Sequence, residues 1–177
     1  MTDRSGLKSH DNWKTPEWLY NELDAEFHFD FDPCPLNHDI SLWDGLEIEW
    51  LDSNFVNPPY SKGEDVCKKN CKKKSCIDRG HHISKRICGK EDFIKKSYEE
   101  WQKGKTVVLL IPAAVDTDDF HDYIYPYAEL RFPRGRIAFE GLNAKGEYVT
   151  TRKGMHASMI CIFRSTFMKG IEHGNAV

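Results

Sequence analysis

The sequence contains no apolar run approaching about 18 residues, the length that a membrane-spanning helix requires. The stretch MTDRSGLKSHDNW at its start also lacks the apolar segment of a secretory signal peptide. We therefore expect a cytoplasmic protein with no membrane partner. In a reducing compartment, its six cysteines are expected to be free thiols or metal ligands rather than disulfides.

The sequence also lacks an internal repeat, and its one low-complexity tract is lysine-rich. Its 177 residues suit a single domain, which we expect to span residues 1–177. The net charge is only −3, but residues 62–90 carry ten Lys/Arg and three Asp/Glu, or about +7, which leaves about −10 on the remainder. A basic segment of this kind is typical of nucleic-acid binding, and a solvated charged loop is the alternative.

The pattern of apolar residues predicts an α/β sandwich, in which strands alternate with helices. Thr15 followed by Pro16 is typical of a helix start, with Thr as the N-cap. The predicted helices cover 16–27, 91–104 and a segment that begins at Asp116 or Thr117 and ends near Pro126. The predicted strands cover 27–32, 53–56, 105–113, 128–141 and 156–164. The strand at 105–113 is apolar nearly throughout, which indicates a central strand. The last two strands are expected to pair with each other through residues 141–154.

The strand at 53–56 ends in an unusual corner, Asn57-Pro58-Pro59-Tyr60. The two prolines fix two φ angles and give up two backbone donors, which ends the strand and makes the corner rigid. The Asn57 side-chain oxygen and the Pro58 carbonyl can accept hydrogen bonds from one amino group, while the Tyr60 ring can stack on a base. Ligands of parallel α/β sheets bind beyond the carboxyl ends of strands, so the corner predicts a site for a planar aromatic amine. An edge turn without chemistry is the alternative.

Segments around this corner resemble those of a known family, in the same order along the chain. They are DNWKTPEWLYNEL, FDPCP, WDGLEIEW, FVNPPYS, VVLLIPA, DTDDFHDYI, AELRFPRGRIAFEG and SMICIF. Together, over residues 11–164, they resemble the phage-type DNA adenine methyltransferases of the Dam family. The resemblance implies a Rossmann-like α/β fold, S-adenosylmethionine as cofactor and DNA as partner, in a bacterial or phage-infected cell. It also implies methyl transfer to the exocyclic amine of adenine, after the base has flipped out of the helix.

The resemblance further implies roles for individual residues. The catalytic residues that grip the adenine amine would be Asn57, Pro58, Pro59 and Tyr60. The cofactor-binding residues would be Thr15, Pro16, Asp32, Pro33 and Cys34, the first two closing over the methionine end of the cofactor and the others standing at the start of the cofactor motif.

Asp44 and Phe139 each have two interpretations. Asp44, in WDGL, is a candidate for the ribose hydroxyls of the cofactor, because an acidic side chain is the usual partner there. For Asp44 and for Asp32, turn formation before Gly or Pro is the alternative. Phe139 either flanks the flipped base opposite Tyr60 or packs in the core.

The chain departs from the family pattern around the cofactor motif. Cys34-Pro35-Leu36 stands where a glycine-rich loop normally follows the first acidic residue. Residues 33–56 provide only 24 positions between Asp32 and Asn57, too few for two further βα units. Ala113, Ala114 and Val115 occupy a segment in which relatives often carry an arginine. We therefore expect a trimmed Rossmann-like sheet.

The basic insert at 62–90 carries closely spaced metal-ligand types. Cys67, Cys71 and Cys76 are followed by His81, His82 and Cys88 in a stretch with no apolar core of its own, which predicts a structural zinc site. Three Cys and one His form the preferred ligand set. The resemblance favours His82 as the fourth ligand, with Cys88 and His81 as alternatives. Unpaired thiols on a loop are the other interpretation.

The insert leaves the chain directly after the catalytic corner, where phosphates flanking a bound base would run. The residues predicted to contact the DNA backbone are Lys68, Lys69, Lys72, Lys73, Lys74, Arg134 and Arg136. Methylation of a protein glutamine or of adenine in RNA is an alternative function, as is a non-enzymatic, zinc-stabilised nucleic-acid-binding module. The basic insert favours nucleic acid over a protein amide, because phosphate contacts need Lys and Arg. No oligomeric state or recognition sequence is predicted.

Overall fold

A computed structural model describes residues 13–36, 38–39, 42–142, 148–154 and 156–165. The strands are β1 (Trp13–Lys14), β2 (Ser53–Val56), β3 (Thr106–Pro112), β4 (Glu129–Arg131), β5 (Ala138–Leu142), β6 (Tyr148–Lys153) and β7 (Ser158–Phe163). The helices are α1 (Glu17–Phe27), α2 (Lys74–Arg79) and α3 (Lys90–Gln102), with a π-helical segment at Phe120–Ile124. Among the described residues, no helix is long and apolar enough to cross a bilayer.

The larger of two sheets has the strand order β2-β3-β7-β4. β2 runs parallel to β3, whereas β7 runs antiparallel to both β3 and β4. Since β2, β3 and β4 therefore point the same way, the residues that follow them, 57–60, 113–115 and 132–136, lie along one side of the sheet, here called the carboxyl edge. The prediction of an α/β protein is confirmed as a mixed four-stranded sheet with helices.

The strand β3 divides the core into two layers. Val108 and Leu110 pack in a cluster that includes the buried residues Leu19, Leu23 and Phe27 of α1. The alternate β3 residues, Val107, Leu109 and Ile111, pack in a second cluster with Phe93, Ile94 and Trp101 of α3. A strand covered on both faces has no solvated side, and this is why its sequence is apolar without alternation.

The smaller sheet has the order β1-β5-β6, and it corrects the pairing expected at the end of the chain. The predicted strand at 128–141 is two strands in different sheets, separated at Pro133, which lacks a donor, and Gly135, whose φ is +84°. β5 pairs with β1 and β6, while β7 pairs with β3 and β4. The expected pairing of the last two predicted strands is therefore confirmed for β4 and wrong for β5. The expected connection at 141–154 instead contains β6, and its residues 143–147 lie outside the described part of the chain.

The predicted strand at 27–32 is also wrong. Phe27 belongs to the last turn of α1, which ends as His28 takes φ 50° and donates its N–H to the Asp24 carbonyl. Only Phe31 bridges to Asn54 of β2, in parallel. The sequence pattern assigns Phe27 both to the helix predicted at 16–27 and to this strand, and the helix assignment is confirmed: Leu23 and Phe27, four residues apart, are both buried.

The helix predicted to begin at Asp116 or Thr117 and to end near Pro126 is present, with helical structure over 118–124. Its first hydrogen bond joins the Phe120 N–H to the Thr117 carbonyl, and Phe120–Ile124 then forms a π-helical turn. Turn structure follows at 125–127, around Pro126.

Candidate active site and cysteine cluster

The corner Asn57–Tyr60 lies at the carboxyl end of β2, with Asn57 and Tyr60 half-buried and Pro58 buried. Asn57 Nδ2 donates to the Trp13 carbonyl at 2.9 Å, and the Tyr60 hydroxyl donates to Asn57 Oδ1 at 3.1 Å. Both ends of the amide therefore have partners within the chain. Since Asn57 precedes proline, the backbone enters the corner extended, which carries Tyr60 to the rim of the site.

The rings of Tyr60 and Phe139 form a T-shaped contact, with ring centroids 6.0 Å apart and planes at 84°. Phe139 is also buried among the apolar residues beneath α1, so it packs in the core and contacts Tyr60 at the same time. Burial chiefly, and the nearby Cys34 thiol in second place, raise the pKa of the Tyr60 hydroxyl. The hydroxyl is therefore protonated at any working pH and can act as a hydrogen-bond donor.

The segment carrying Asp32 runs alongside β2 and reaches the same edge. The Phe31 carbonyl accepts the Phe55 N–H at 3.0 Å, and the Cys34 N–H is donated to Asp32 Oδ1 at 2.8 Å. Burial raises the pKa of the Asp32 carboxyl to about 6, although the Cys34 N–H and thiol and the charge of His38 act in the opposite direction. This half-buried carboxyl would become more readily ionised if a cation bound beside it.

Asp44 is buried and forms a turn, since its Oδ1 accepts the Leu46 N–H at 3.0 Å. The next residue, Gly45, packs directly on Pro33, and a Cβ at position 45 would lie 1.9 Å from the Pro33 carbonyl oxygen. Position 45 therefore requires glycine, because any side chain would clash with the Pro33 backbone. The contact brings the Asp44 turn and the Asp32 segment together, which their separation in sequence did not establish.

Thr15 and Pro16 are buried at the start of α1. Thr15 Oγ1 is shielded from solvent and has no hydrogen-bond partner among the described residues. It does not cap the helix, so the N-cap prediction is wrong: Pro16 occupies the N-cap position without a side-chain hydrogen bond. A buried hydroxyl without a partner costs about 1–3 kcal/mol, and a polar ligand at this place would recover that cost.

The insert brings four metal-ligand side chains together. The ligand atoms of Cys67, Cys71, Cys76 and His82 all lie within 4.8 Å of one another. The Cys76 sulfur is 3.3 Å from that of Cys67 and 3.7 Å from that of Cys71. Tetrahedral zinc with bonds of about 2.3 Å would place sulfurs about 3.8 Å apart, so the four groups fit such an ion.

Two further observations bear on the ligand set. The Ile83 N–H first, and the Cys76 thiol second, lower the pKa of the Cys67 thiol to about 7, which favours the thiolate that a metal requires. The alternatives His81 and Cys88 are described residues, but neither belongs to the group. Cys88 instead receives a hydrogen bond from Arg86.

Both ends of the insert are held next to the corner Asn57–Tyr60 by backbone contacts. The Lys90 N–H is donated to the Ser61 carbonyl, and Glu64 forms an antiparallel bridge with Ile87. Gly89 packs so closely on Gly63 that a Cβ at position 89 would lie 2.0 Å from the Gly63 nitrogen. All seven basic residues predicted to contact DNA are exposed: Lys68, Lys69, Lys72, Lys73, Lys74, Arg134 and Arg136. The two arginines follow β4 and so lie on the carboxyl edge.

Sequence reasoning missed the contribution of Trp13. Its strand, β1, has two residues and thus no recognisable periodicity, and its partner β5 lies far along the chain, at Glu140 and Gly141. The close contact at Gly45 was missed as well. A glycine directly after a candidate binding residue was the available signal, since glycine is often retained where backbones approach closely.

A model of the family described as DNA N-6-adenine-methyltransferase (Dam) matches residues 4–172 of the chain. No curated protein and no solved structure matched. The family match spans the corner, the Asp32 segment and the cysteine cluster alike.

Proposed function

Because the chain belongs to the DNA N-6-adenine-methyltransferase (Dam) family, we propose that it transfers a methyl group from S-adenosylmethionine to the exocyclic amine of an adenine in DNA, at particular sites. Residues 1–177 would form one trimmed Rossmann-like methyltransferase domain, and residues 62–90 a basic zinc-binding insert. The observation that carries the proposal is the corner Asn57–Tyr60 at the carboxyl edge, because it combines a rigid pair of acceptors with an aromatic ring.

Within this proposal, Asn57 Oδ1 and the Pro58 carbonyl accept the two hydrogens of the adenine amine. Accepting both hydrogens draws the nitrogen lone pair out of conjugation with the ring and directs it toward the methyl donor. The two prolines hold the acceptors in place before the substrate arrives, so little ordering remains to be done during the reaction. Tyr60 stacks on the flipped adenine, and its T-shaped contact with Phe139 holds the ring in place.

The cofactor would bind between the Asp32 segment, the Asp44 turn and Thr15–Pro16. The donor set fits it: Asp32 is a half-buried carboxyl that a cation would help to ionise, and Thr15 Oγ1 is a buried hydroxyl without a partner among the described residues. Asp44 Oδ1 is engaged by the Leu46 N–H, so the ribose hydroxyls would be met by its other oxygen. When bound, S-adenosylmethionine supplies the electrophilic methyl group.

The test is methyl transfer from labelled S-adenosylmethionine to DNA, RNA and protein offered separately, followed by identification of the labelled product. We expect N6-methyladenine in DNA. Asn57→Ala should lower turnover at least about tenfold, because it removes an acceptor, and should leave cofactor binding largely intact. Label in RNA or in a glutamine side chain, with none in DNA, would contradict the proposal.

A further inference from the structure

We infer that Trp13 is a positioning residue of this site: its main-chain carbonyl orients the Asn57 amide so that the oxygen, and not the nitrogen, faces the adenine amine. The inference rests on the proposed function and deepens it. It begins with one contact, the 2.9 Å hydrogen bond from Asn57 Nδ2 to the Trp13 carbonyl.

The two ends of an asparagine side chain have opposite hydrogen-bonding roles. A carbonyl oxygen only accepts, so Trp13 can face only the NH₂ end of the Asn57 amide. At the other end, the Tyr60 hydroxyl donates to Oδ1 at 3.1 Å. Oδ1 has two lone pairs, so it can accept from Tyr60 and still accept one hydrogen of the substrate amine. The orientation of the acceptor is therefore set by neighbours on both sides.

Trp13 is itself held in place. It pairs with Gly141 across the β1–β5 ladder, and its ring packs against the apolar cluster that includes Leu19 and Phe139. Two residues further on lies the buried Thr15 hydroxyl, at the proposed cofactor site. One short segment, residues 13–16, thus adjoins both the amine acceptor and the proposed cofactor site.

This arrangement predicts that position 57 requires an amide. A carboxylate is the stronger acceptor for an amine, but it has no hydrogen to donate. In Asn57→Asp, one carboxylate oxygen would face the Trp13 carbonyl, and two acceptors without a proton between them repel. Only the protonated acid could donate to Trp13 and accept from the amine at once. Asn57→Asp should therefore function in its protonated form alone.

The first arm of the experiment measures methyl transfer from labelled S-adenosylmethionine to unmethylated genomic DNA between pH 5 and 8. The proteins are the parent, Asn57→Asp and Asn57→Ala. Relative to the parent at the same pH, Asn57→Asp should gain up to about tenfold in activity for each unit of falling pH, because the protonated fraction rises in that proportion. The relative activity of Asn57→Ala should stay constant. A relative activity of Asn57→Asp that is constant, or that falls as the pH is lowered, would overturn the inference.

The titratable groups near the corner are common to all three proteins. Tyr60 contacts Asn57, Cys34 lies near Tyr60 on the neighbouring segment, and Asp32 in turn accepts a hydrogen bond from the Cys34 N–H. Asp32 titrates within the pH range of the experiment, and for this reason each variant is compared with the parent at every pH. A pH effect of these groups cancels in that ratio.

The second arm needs no activity. The melting temperatures of the three proteins are compared across the same pH range. In folded Asn57→Asp, repulsion from the Trp13 carbonyl should raise the pKa of the introduced carboxyl, so the stability of the variant is retained at low pH and lost as pH rises. Its deficit relative to the parent should grow from pH 5 to 8, while that of Asn57→Ala stays constant. A deficit of Asn57→Asp that does not change with pH would refute the role of Trp13. If the parent methylates no DNA, the proposed function fails, and these melting curves still decide the inference.

Discussion

Tyr60 is held at two points, by the T-shaped contact of its ring with Phe139 and by the hydrogen bond from its hydroxyl to Asn57. The two contacts involve different parts of the side chain, the ring and the hydroxyl, and each part has its own proposed role. Stacking on a base uses the face of the ring, whereas orientation of the acceptor uses the hydroxyl. A ring that a neighbouring side chain already holds loses little freedom when the substrate binds.

The two roles can be measured separately. Tyr60→Ala should raise the KM for DNA and lower kcat/KM by about 10- to 100-fold, because base stacking contributes roughly 1–3 kcal/mol. Tyr60→Phe should lower kcat less than about fivefold, since it keeps the ring and removes one hydrogen bond of about 1 kcal/mol. A loss in Tyr60→Phe as large as that in Tyr60→Ala would show that the hydroxyl carries the role.

The ionised Asp32 carboxyl that the proposed cofactor site would use lowers the stability of the unliganded protein. Its carboxyl pKa is raised from 3.8 to about 6 by burial, so the fold favours the protonated form. The associated stability is present below the unfolded-state pKa and is lost as pH rises through about 6. At pH 8 the ionised carboxyl therefore destabilises the unliganded protein by up to about 3 kcal/mol.

Asp32→Asn should remove that penalty and keep the acceptor for the Cys34 N–H. We expect the variant to be more stable than the parent at pH 8, by about 1–3 kcal/mol, and to match it near pH 4. We also expect weaker binding of S-adenosylmethionine, because the negative charge is gone. Denaturant unfolding at both pH values and calorimetric titration with the cofactor measure the two effects. Unchanged cofactor affinity would remove Asp32 from the cofactor site.

At the scale of secondary structure, local patterns identified the elements that bury a continuous face. α1, α3, β2 and β3 were predicted within a few residues because each presents an apolar face or an apolar run. The pairings failed where they depend on distant partners. Pro133 and Gly135 divide what resembled one strand, and neither residue indicates that β4 and β5 join different sheets.

In the candidate site too, features set by local sequence could be predicted, and a contact between distant segments could not. The corner at Asn57 and the cysteine cluster could be predicted from residue types and spacing. The hydrogen bond from Asn57 to Trp13 was not, because it joins two segments through a backbone carbonyl, which carries no sequence signal.

The side chains of the insert bury too little apolar surface to stabilise its fold by themselves. The helix within it, α2, has six residues, and among the side chains described there only Cys76 and Ile83 are buried apolar groups. A chain with so little apolar burial needs another source of stability. The four-ligand cluster of Cys67, Cys71, Cys76 and His82 is that source, if it binds zinc.

Purified protein prepared without chelator should therefore contain about one zinc per chain. Combined Cys67→Ser and Cys71→Ser replacement should abolish binding, because two of four ligands are lost. Cys88→Ser is the matched control, since Cys88 lies outside the cluster, and it should retain the metal. Metal analysis of the three proteins gives the answer. A parent without zinc would refute the site, and loss of zinc in Cys88→Ser would make Cys88 a ligand.

At the scale of the whole molecule, charge is divided between two parts. The insert at 62–90 carries about +7 and the remainder about −10. A body of that charge repels a polyanion, so a DNA-binding protein built this way needs local attraction at its site. The insert is fastened at Ser61 and Lys90, immediately after the corner, and its lysines are exposed. The position of the positive charge thus follows from where the insert joins the sheet.

We therefore expect replacement of Lys68, Lys69, Lys72, Lys73 and Lys74 by glutamine to weaken DNA binding and to reduce its dependence on salt. Each lost phosphate contact should lower the slope of log K against log salt by up to about 0.9, because fewer counterions are released. Cofactor affinity and zinc content should match the parent, which shows that the fold and the cluster are intact. Binding isotherms on one duplex at several salt concentrations give the slope for both proteins. Equal slopes would mean that the insert is a solvated loop and that DNA is held elsewhere. In that case Arg134 and Arg136, on the carboxyl edge beyond β4, would be the next residues to neutralise.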